Sequence, residues 1–149
     1  MRLKRYLWLL LLIVLVFPVN VLEIDSKEGV VKCPLFSPVK VEISYTHSVS
    51  LTKVIDTYKV SKDGIWAIEE RWQQFDAGQP LSFQRVKNGF FVKRLNMYMG
   101  KSWRYWFIPL NDVSVKVDGK LVLSHMKKEG ILQFGVKRVP LITVLFGRC

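Results

Sequence analysis

Cysteine and histidine are almost missing from this chain: its 149 residues hold two of each. Two cysteines exclude a disulfide-rich scaffold and a four-cysteine zinc site, and two histidines leave little for a histidine-based metal centre. Acidic residues are scarce as well, 12 against 23 Lys and Arg, which gives a net charge of +11. Such a body favours anionic neighbours: lipid headgroups, nucleic acid or acidic solutes. There is no Asn-x-Ser/Thr sequon, no internal repeat and no low-complexity tract. At 17.4 kDa there is little room for a second domain. Half of the residues are hydrophobic and 23% are charged, a composition that excludes disorder as the dominant state.

Long hydrophobic runs are also lacking, with one partial exception at the start. Met1-Arg2-Leu3-Lys4-Arg5 is a basic opening, and Tyr6 to Phe17 is apolar. The uninterrupted part, Leu7–Phe17, falls short of the about 20 residues that span a bilayer. Counted on to Leu22 the run approaches the lower limit. It reads as a signal peptide or an uncleaved signal anchor, residues 1–20, followed by an extracytoplasmic domain, residues 21–149. No small-x-small cleavage site follows Phe17, which favours the anchor. Arg2, Lys4 and Arg5 are expected to stay cytoplasmic, so that the rest faces outward, or is secreted if the segment is cut. Those three charges taken from +11 leave +8 for the body. Outward placement argues against nucleic acid as its partner and for the membrane surface or acidic solutes.

Beyond Val21 the pattern is that of strands. Val41, Ile43, Tyr45 and His47 alternate with polar residues, and Val54, Asp56, Tyr58 and Val60 alternate with Lys53, Ile55, Thr57 and Lys59. Further strands are expected over Ile65 to Phe75, Phe90 to Lys93, Trp103 to Phe107 and Ile131 to Val139. Val113 to Val117 and Leu121 to Ser124 form a hairpin about Asp118-Gly119. Leu141 to Phe146 closes the domain. The expected fold is all-β: an antiparallel sandwich or closed barrel of about eight to ten strands, preceded by one N-terminal hydrophobic helix.

His47 and Asp56 continue apolar faces. Paired inward across a hairpin whose loop is Ser48 to about Lys53, they would stand opposite or diagonal to each other, about 4.5–8 Å apart at Cβ. A carboxylate so placed needs a partner, and His47, Ser48 and Thr52 are the nearest candidates. This polar corner is either a structural cluster or a ligand site. Nearby, Glu69, Arg71, Trp72 and Gly78 are candidates for a pocket.

The stretch His47-Ser48-Val49-x-x-Thr52-x-Val54-x-Asp56-x-Tyr58, with Glu69-x-Arg71-Trp72-x-x-Phe75-x-Ala77-Gly78-x-Pro80, resembles the family called domain of unknown function 1850. Its members carry His-Ser-Val-x-x-Thr-Pro-Val-x-Glu and then aromatic-x-Ser-aromatic-Gly-Ala-Gly-x-Pro. Here Lys53 replaces the Pro, Asp56 the Glu, Gln74 the Ser and Asp76 the first Gly. The resemblance is good from Val41 to Pro80 and loose afterwards. It implies a small, outward-facing, N-terminally anchored protein. It also implies the company of TRAP-type solute transporters of the TAXI class, which move organic acids.

Other motifs are weaker. Gly100-Lys101-Ser102 ends like a phosphate loop, but Leu95 stands where the first Gly is required. Ser50-x-x-Lys53 has the spacing of an acylation pair that works on a helix, and here it falls in a loop. A Ser48/His47/Asp56 triad has no nucleophile elbow, and a His47/Asp56/His125 metal site would require distant strands to converge. Lys101, Trp103, Arg104 and Trp106 lie in an aromatic, basic strand suited to core packing plus interfacial contact. Cys33 and Cys149 either pair or remain free thiols.

The expected function is therefore a membrane-anchored accessory of a TRAP/TAXI-type transporter. It would be no enzyme, use no cofactor, and act by binding the permease or its solute-binding protein. A secreted small-carboxylate binder, with His47, Arg71 and Trp72 around its pocket, is the alternative. A hydrolase is a distant third.

Overall fold

The alternation seen in the sequence settles into two packed sheets in the computed structural model, which describes residues 2–75, 78–145 and 149. Helix α1 (Arg2–Val16) leads directly into β1 (Pro18–Ser26) and β2 (Gly29–Pro34). Then come β3 (Val39–Thr46), β4 (Lys53–Ser61), β5 (Gly64–Trp72), β6 (Arg85–Lys87), β7 (Phe90–Gly100) and β8 (Ser102–Phe107). The chain continues with β9 (Ser114–Val117), β10 (Lys120–Ser124), β11 (Gly130–Pro140) and the short helix α2 (Ile142–Leu145). A four-stranded sheet has the order β2-β1-β11-β8, and a seven-stranded sheet the order β10-β9-β3-β4-β5-β7-β6. Every pairing is antiparallel.

Because side chains alternate along a strand, each sheet gives one series to the interior. The small sheet contributes Leu22, Ile24, Leu132 and Phe134, and the large sheet Val41, Ile43, Val60, Ile65 and Val115; all join one core. Each of the side chains named is essentially inaccessible, a burial worth about 1.5–3 kcal/mol apiece against exposure.

The architecture is a sandwich, and the closed-barrel alternative is corrected: β2, β8, β6 and β10 are open sheet edges. The described residues form 11 strands, more than the eight to ten expected. The excess includes β6, whose three exposed residues lack any inward series to announce it. The expected strand at Leu141 to Phe146 is instead helical over Ile142–Leu145, with Phe146 outside the described residues. The boundary expected at residue 20 falls inside β1, where Pro18, Val19 and Asn20 already pair with Pro140, Val139 and Arg138.

Two connections shape the interior. At Gly100, whose φ of 90° suits glycine, the chain leaves β7 in the large sheet and enters β8 in the small one. Lys101 O accepts a hydrogen bond from Val136 N at 2.8 Å, and Gly135 has to be bare because a Cβ there would meet Lys101 O at 2.8 Å. This corner brings the aromatic strand β8 over β4 and β5. At the other end, Cys33 of β2 and Cys149, 116 positions apart in sequence, form a disulfide with Cα atoms 5.1 Å apart.

Helix α1 packs on nothing among the described residues: from Tyr6 to Val14 its apolar side chains are exposed on every face. It is 15 residues long, and no described helix is long and apolar enough to cross a membrane.

Candidate functional site

The hairpin β3–β4 sets the geometry of the predicted corner. Its register places Ile43 opposite Asp56 and Thr46 opposite Lys53. His47 N donates to Thr52 O at 2.9 Å. His47 therefore faces Thr52, and Asp56 lies four residues further along β4, about 13 Å at 3.3 Å per residue. The expectation that His47 and Asp56 touch is corrected. Both lie on the inward series as expected, but the tight turn fixes a different register sum.

The ring nitrogen Nδ1 of His47 instead bonds within its own turn. His47 Nδ1 accepts from Val49 N and Ser50 N, both at 3.4 Å, and lies 3.3 Å from Ser50 Oγ. Ser50 Oγ is 2.9 Å from Thr52 Oγ1. Ser48 is exposed, and Ser50, which the motif reading passed over, takes the place given to Asp56. Nearby, Asn111 Nδ2 donates to Thr46 O at 2.8 Å, and Asp112 bridges Lys53 and His125 on the surface. His125 thus meets Asp112, and no group of three or more His, Cys, Asp or Glu fit to hold a metal occurs among the described residues.

The candidate pocket residues divide between two faces. Arg71 points outward from the large sheet, with Nη2 2.8 Å from Glu42 Oε1 and Nε 3.3 Å from Glu69 Oε1. Arg85 joins the same network through Glu69. Arg71, Arg85 and Lys87 line a shallow groove there, their charge partly offset by the two glutamates. Trp72, the next residue, is wholly buried with Phe75 and Phe91. Strand alternation keeps Arg71 and Trp72 apart, so His47, Arg71 and Trp72 are not brought together. Gly78 lies elsewhere, on the rim of the interior cavity described next. Asp76 and Ala77 of the family-like motif lie outside the described residues.

The aromatic strand divides in the same manner. Trp103 and Tyr105 face inward, opposite Phe134 and Leu132, while Arg104 and Trp106 face outward. Trp106 is 64% exposed beside Ile131, and Lys101 is exposed at the corner. The four residues expected to share an interfacial contact are thus shared between a rim and an outer face.

What the fold does assemble is a cavity of about 250 Å³ between β4, β5 and β7 of the large sheet and β8 of the small one. Two carboxylates meet in it. Asp56 and Glu70 are direct partners across β4–β5, and both are half-buried. Around them stand Tyr45, Tyr58 and Tyr105, with Met97, Met99 and Trp103 toward the opening. Tyr105 OH donates to Asp56 Oδ2 at 2.6 Å and is in turn hydrogen-bonded to Tyr58 OH. The Tyr45 and Tyr105 ring centroids are 6.1 Å apart.

Desolvation governs the electrostatics here. It pushes Asp56 up to about 6, against a partial pull from the Tyr105 hydrogen bond. It pushes Glu70 up to about 7, with the Asp56 charge adding and Lys93 opposing. The three tyrosine hydroxyls are held well above their ordinary range, first by burial and then by the charge of Asp56, so they stay protonated donors. Glu70 and Tyr105 were not singled out in the sequence. Glu70 is hidden by a bulge: Thr57 pairs with Glu69 but Tyr58 with Ala67, so Ile68 is an extra residue that reverses the facing of everything after it.

A two-sheet, all-β domain with an acid-and-tyrosine cavity at one open side is the class that fold and site define. The model of the family described as Domain of unknown function (DUF1850) matches residues 41–123, more than half of the chain, and the chain belongs to that family. The matched stretch contains every residue of the cavity named above. No curated protein and no solved structure matches.

Proposed function

We propose that this is a membrane-tethered, extracytoplasmic binding domain that serves a TRAP/TAXI-type solute transporter as an accessory, acting by binding and not by catalysis. The observation that carries the reading is the cavity. Two carboxylates side by side between packed sheets cost stability, since each is desolvated and each repels the other. Such an arrangement is better accounted for by a bound partner than by the needs of the fold. No nucleophile with an adjacent base accompanies it among the described residues, which favours binding.

Tethering is supported by α1, whose apolar side chains from Tyr6 to Val14 are exposed and whose sequence starts basic. The body's excess of Lys and Arg suits an anionic membrane surface. The outward side of β8, with Trp106 and Arg104 exposed, offers the permease or its solute-binding protein a contact surface. The transporter itself is supported by the family resemblance. Deleting the gene is expected to lower uptake by the neighbouring permease without changing that permease's abundance in the membrane. Unchanged uptake would overturn the accessory role.

A further inference from the structure

We propose that the cavity between the sheets is a binding site for a small organic cation, a solute bearing a protonated amine or quaternary ammonium, which Asp56 and Glu70 neutralise and the rings of Tyr45, Tyr58 and Tyr105 enclose. The inference goes beyond the accessory role: it reads the cavity as a solute site and names what it binds.

The first support is that carboxylate oxygens line the cavity without a protein donor. Tyr105 satisfies Asp56 Oδ2, but among the described residues no donor reaches Asp56 Oδ1 or either Glu70 oxygen. The neighbouring hydroxyls are already committed, Tyr58 to Tyr105 and Tyr105 to Asp56. Lys93, the cross-strand neighbour of Glu70, has its Nζ 3.2 Å from Ser82 Oγ. An incoming ammonium would supply those donors and add a second positive charge to that of Lys93.

The second support is the wall. Aromatic faces attract cations within about 6 Å of the ring centre, and more strongly when water is excluded. Three tyrosines and Trp103 surround the carboxylates here, and the sulfurs of Met97 and Met99 add polarizable surface near the opening. A carboxylate ligand would meet two acids in this cavity, with Lys93 beside Glu70 as the cation facing them among the described residues. A metal ion would find two carboxylates and hydroxyls that stay protonated, a poor ligand set. The volume, about 250 Å³, is that of about eight waters at 30 Å³ each. It suits a compact amine.

The basic exterior does not prevent this. Its repulsion is screened over about 8 Å at physiological salt, whereas inside the cavity the two carboxylates are the nearest charges. The groups facing them are Tyr45 from β3, Tyr58 from β4, Tyr105 and Trp103 from β8, Glu69 beside the cavity on β5, and Lys93 from β7. None of the tyrosines ionises near neutrality, so Asp56 and Glu70 set the pH response.

The test is calorimetry on the full chain in detergent, with tetramethylammonium, choline and putrescine as cations and succinate and acetate as anions. Saturable one-to-one binding of at least one cation is expected, at least tenfold weaker at pH 5 than at pH 8, and lost in Asp56→Asn/Glu70→Gln. That variant should keep the wild-type circular dichroism spectrum. Binding of the anions and not of the cations would overturn this inference while leaving the solute-binder reading in place. Response to sodium or calcium chloride alone would also overturn it. Heat from none of the probes at either pH would overturn the solute site, while the accessory role stands or falls on the uptake experiment.

Discussion

At the turn of the β3–β4 hairpin, His47 Nδ1 finds its partners within three residues, at Val49, Ser50 and the Ser50 hydroxyl. Midway along β4, Asp56 finds its partner 49 positions away, in Tyr105 on the other sheet. The first network, as far as the ring's Nδ1 is concerned, is local and half-exposed. The second exists only when both sheets have docked, and it leaves carboxylate oxygens open. The motif-bearing corner is therefore the part that shapes the hairpin, and the chemistry lies further inside, beside a residue of the same motif. A polar residue on an apolar face marks something in either case. Whether its partners are near or far along the chain separates a turn from a site.

The largest way to break the contrast is Tyr105→Phe. It removes the one donor to Asp56 and the partner of Tyr58 OH. Leaving a charged acceptor without its donor costs about 1–3 kcal/mol. The loss should be greatest at pH 8, where Asp56 is ionised, and smaller at pH 5, where it is protonated. Chemical denaturation at the two pH values measures this. Equal losses at both would separate the tyrosine from the carboxylate. Ser50→Ala in the turn should cost less, about 0.5–1.5 kcal/mol for a partly solvated hydrogen bond, with no pH dependence of this kind.

The next effect is on pH itself. Asp56 and Glu70 both have folded pKa values raised above their ordinary ones, to about 6 and about 7. The folded state then holds more protons than the unfolded chain between those limits, so stability falls as pH rises. The contribution is full below the ordinary carboxylate range near pH 4 and lost once pH passes about 7. Asp56 should carry on the order of 2 kcal/mol of this, and Glu70 less because solvent screens it. Glu42 and Asp112 act the other way: both are held below their ordinary values, so their contributions fade only in stronger acid. The thermal midpoint should therefore peak in mild acid and fall towards pH 8, with Asp56→Asn flattening the slope. A midpoint that climbs steadily from pH 5 to pH 8 would place the two carboxylates in open water.

These numbers also show why only part of the molecule could be read from its sequence. Val41 to Tyr45 and Val54 to Val60 alternate without interruption, and their strands, inward faces and hairpin follow directly. The Asp118-Gly119 turn joins β9 to β10 as a two-residue loop should, both residues having positive φ. The register of β3 on β4 is not fixed by alternation, because several registers keep both apolar faces inward, and the turn chose one that parts His47 from Asp56. Glu70 was out of reach for a sharper reason. Along Ile65, Ala67 and Glu69 the strict period would turn Glu70 to solvent, and the Ile68 bulge turns it inward. Tyr105 lay in plain view in an aromatic strand, but its meeting with Asp56 depends on the crossing from β7 to β8 at Gly100. Sheet-to-sheet contacts of that kind have no local signature.

The smallest expected effect tests the contrast most directly. If corner and cavity are independent, His47→Ala and Asp56→Asn should be additive. His47 Nδ1 is served by residues 49 and 50, and Asp56 Oδ2 by Tyr105. The register keeps their strand positions about 13 Å apart at 3.3 Å per residue, beyond the distance at which neighbours usually couple. His47→Ala alone should cost about 1 kcal/mol, since its hydrogen bonds are long and partly solvated. The coupling energy in a double-mutant cycle should stay within about 0.5 kcal/mol of zero. A coupling above about 1 kcal/mol would mean that the turn transmits to the cavity, through Thr52 and the β4 backbone, and that the two ends of the hairpin form one site. Repeating the cycle with a bound ammonium separates the cases further. A ligand held only by Asp56, Glu70 and the tyrosines should stabilise wild type and His47→Ala by the same increment, because the binding free energy would take nothing from the corner.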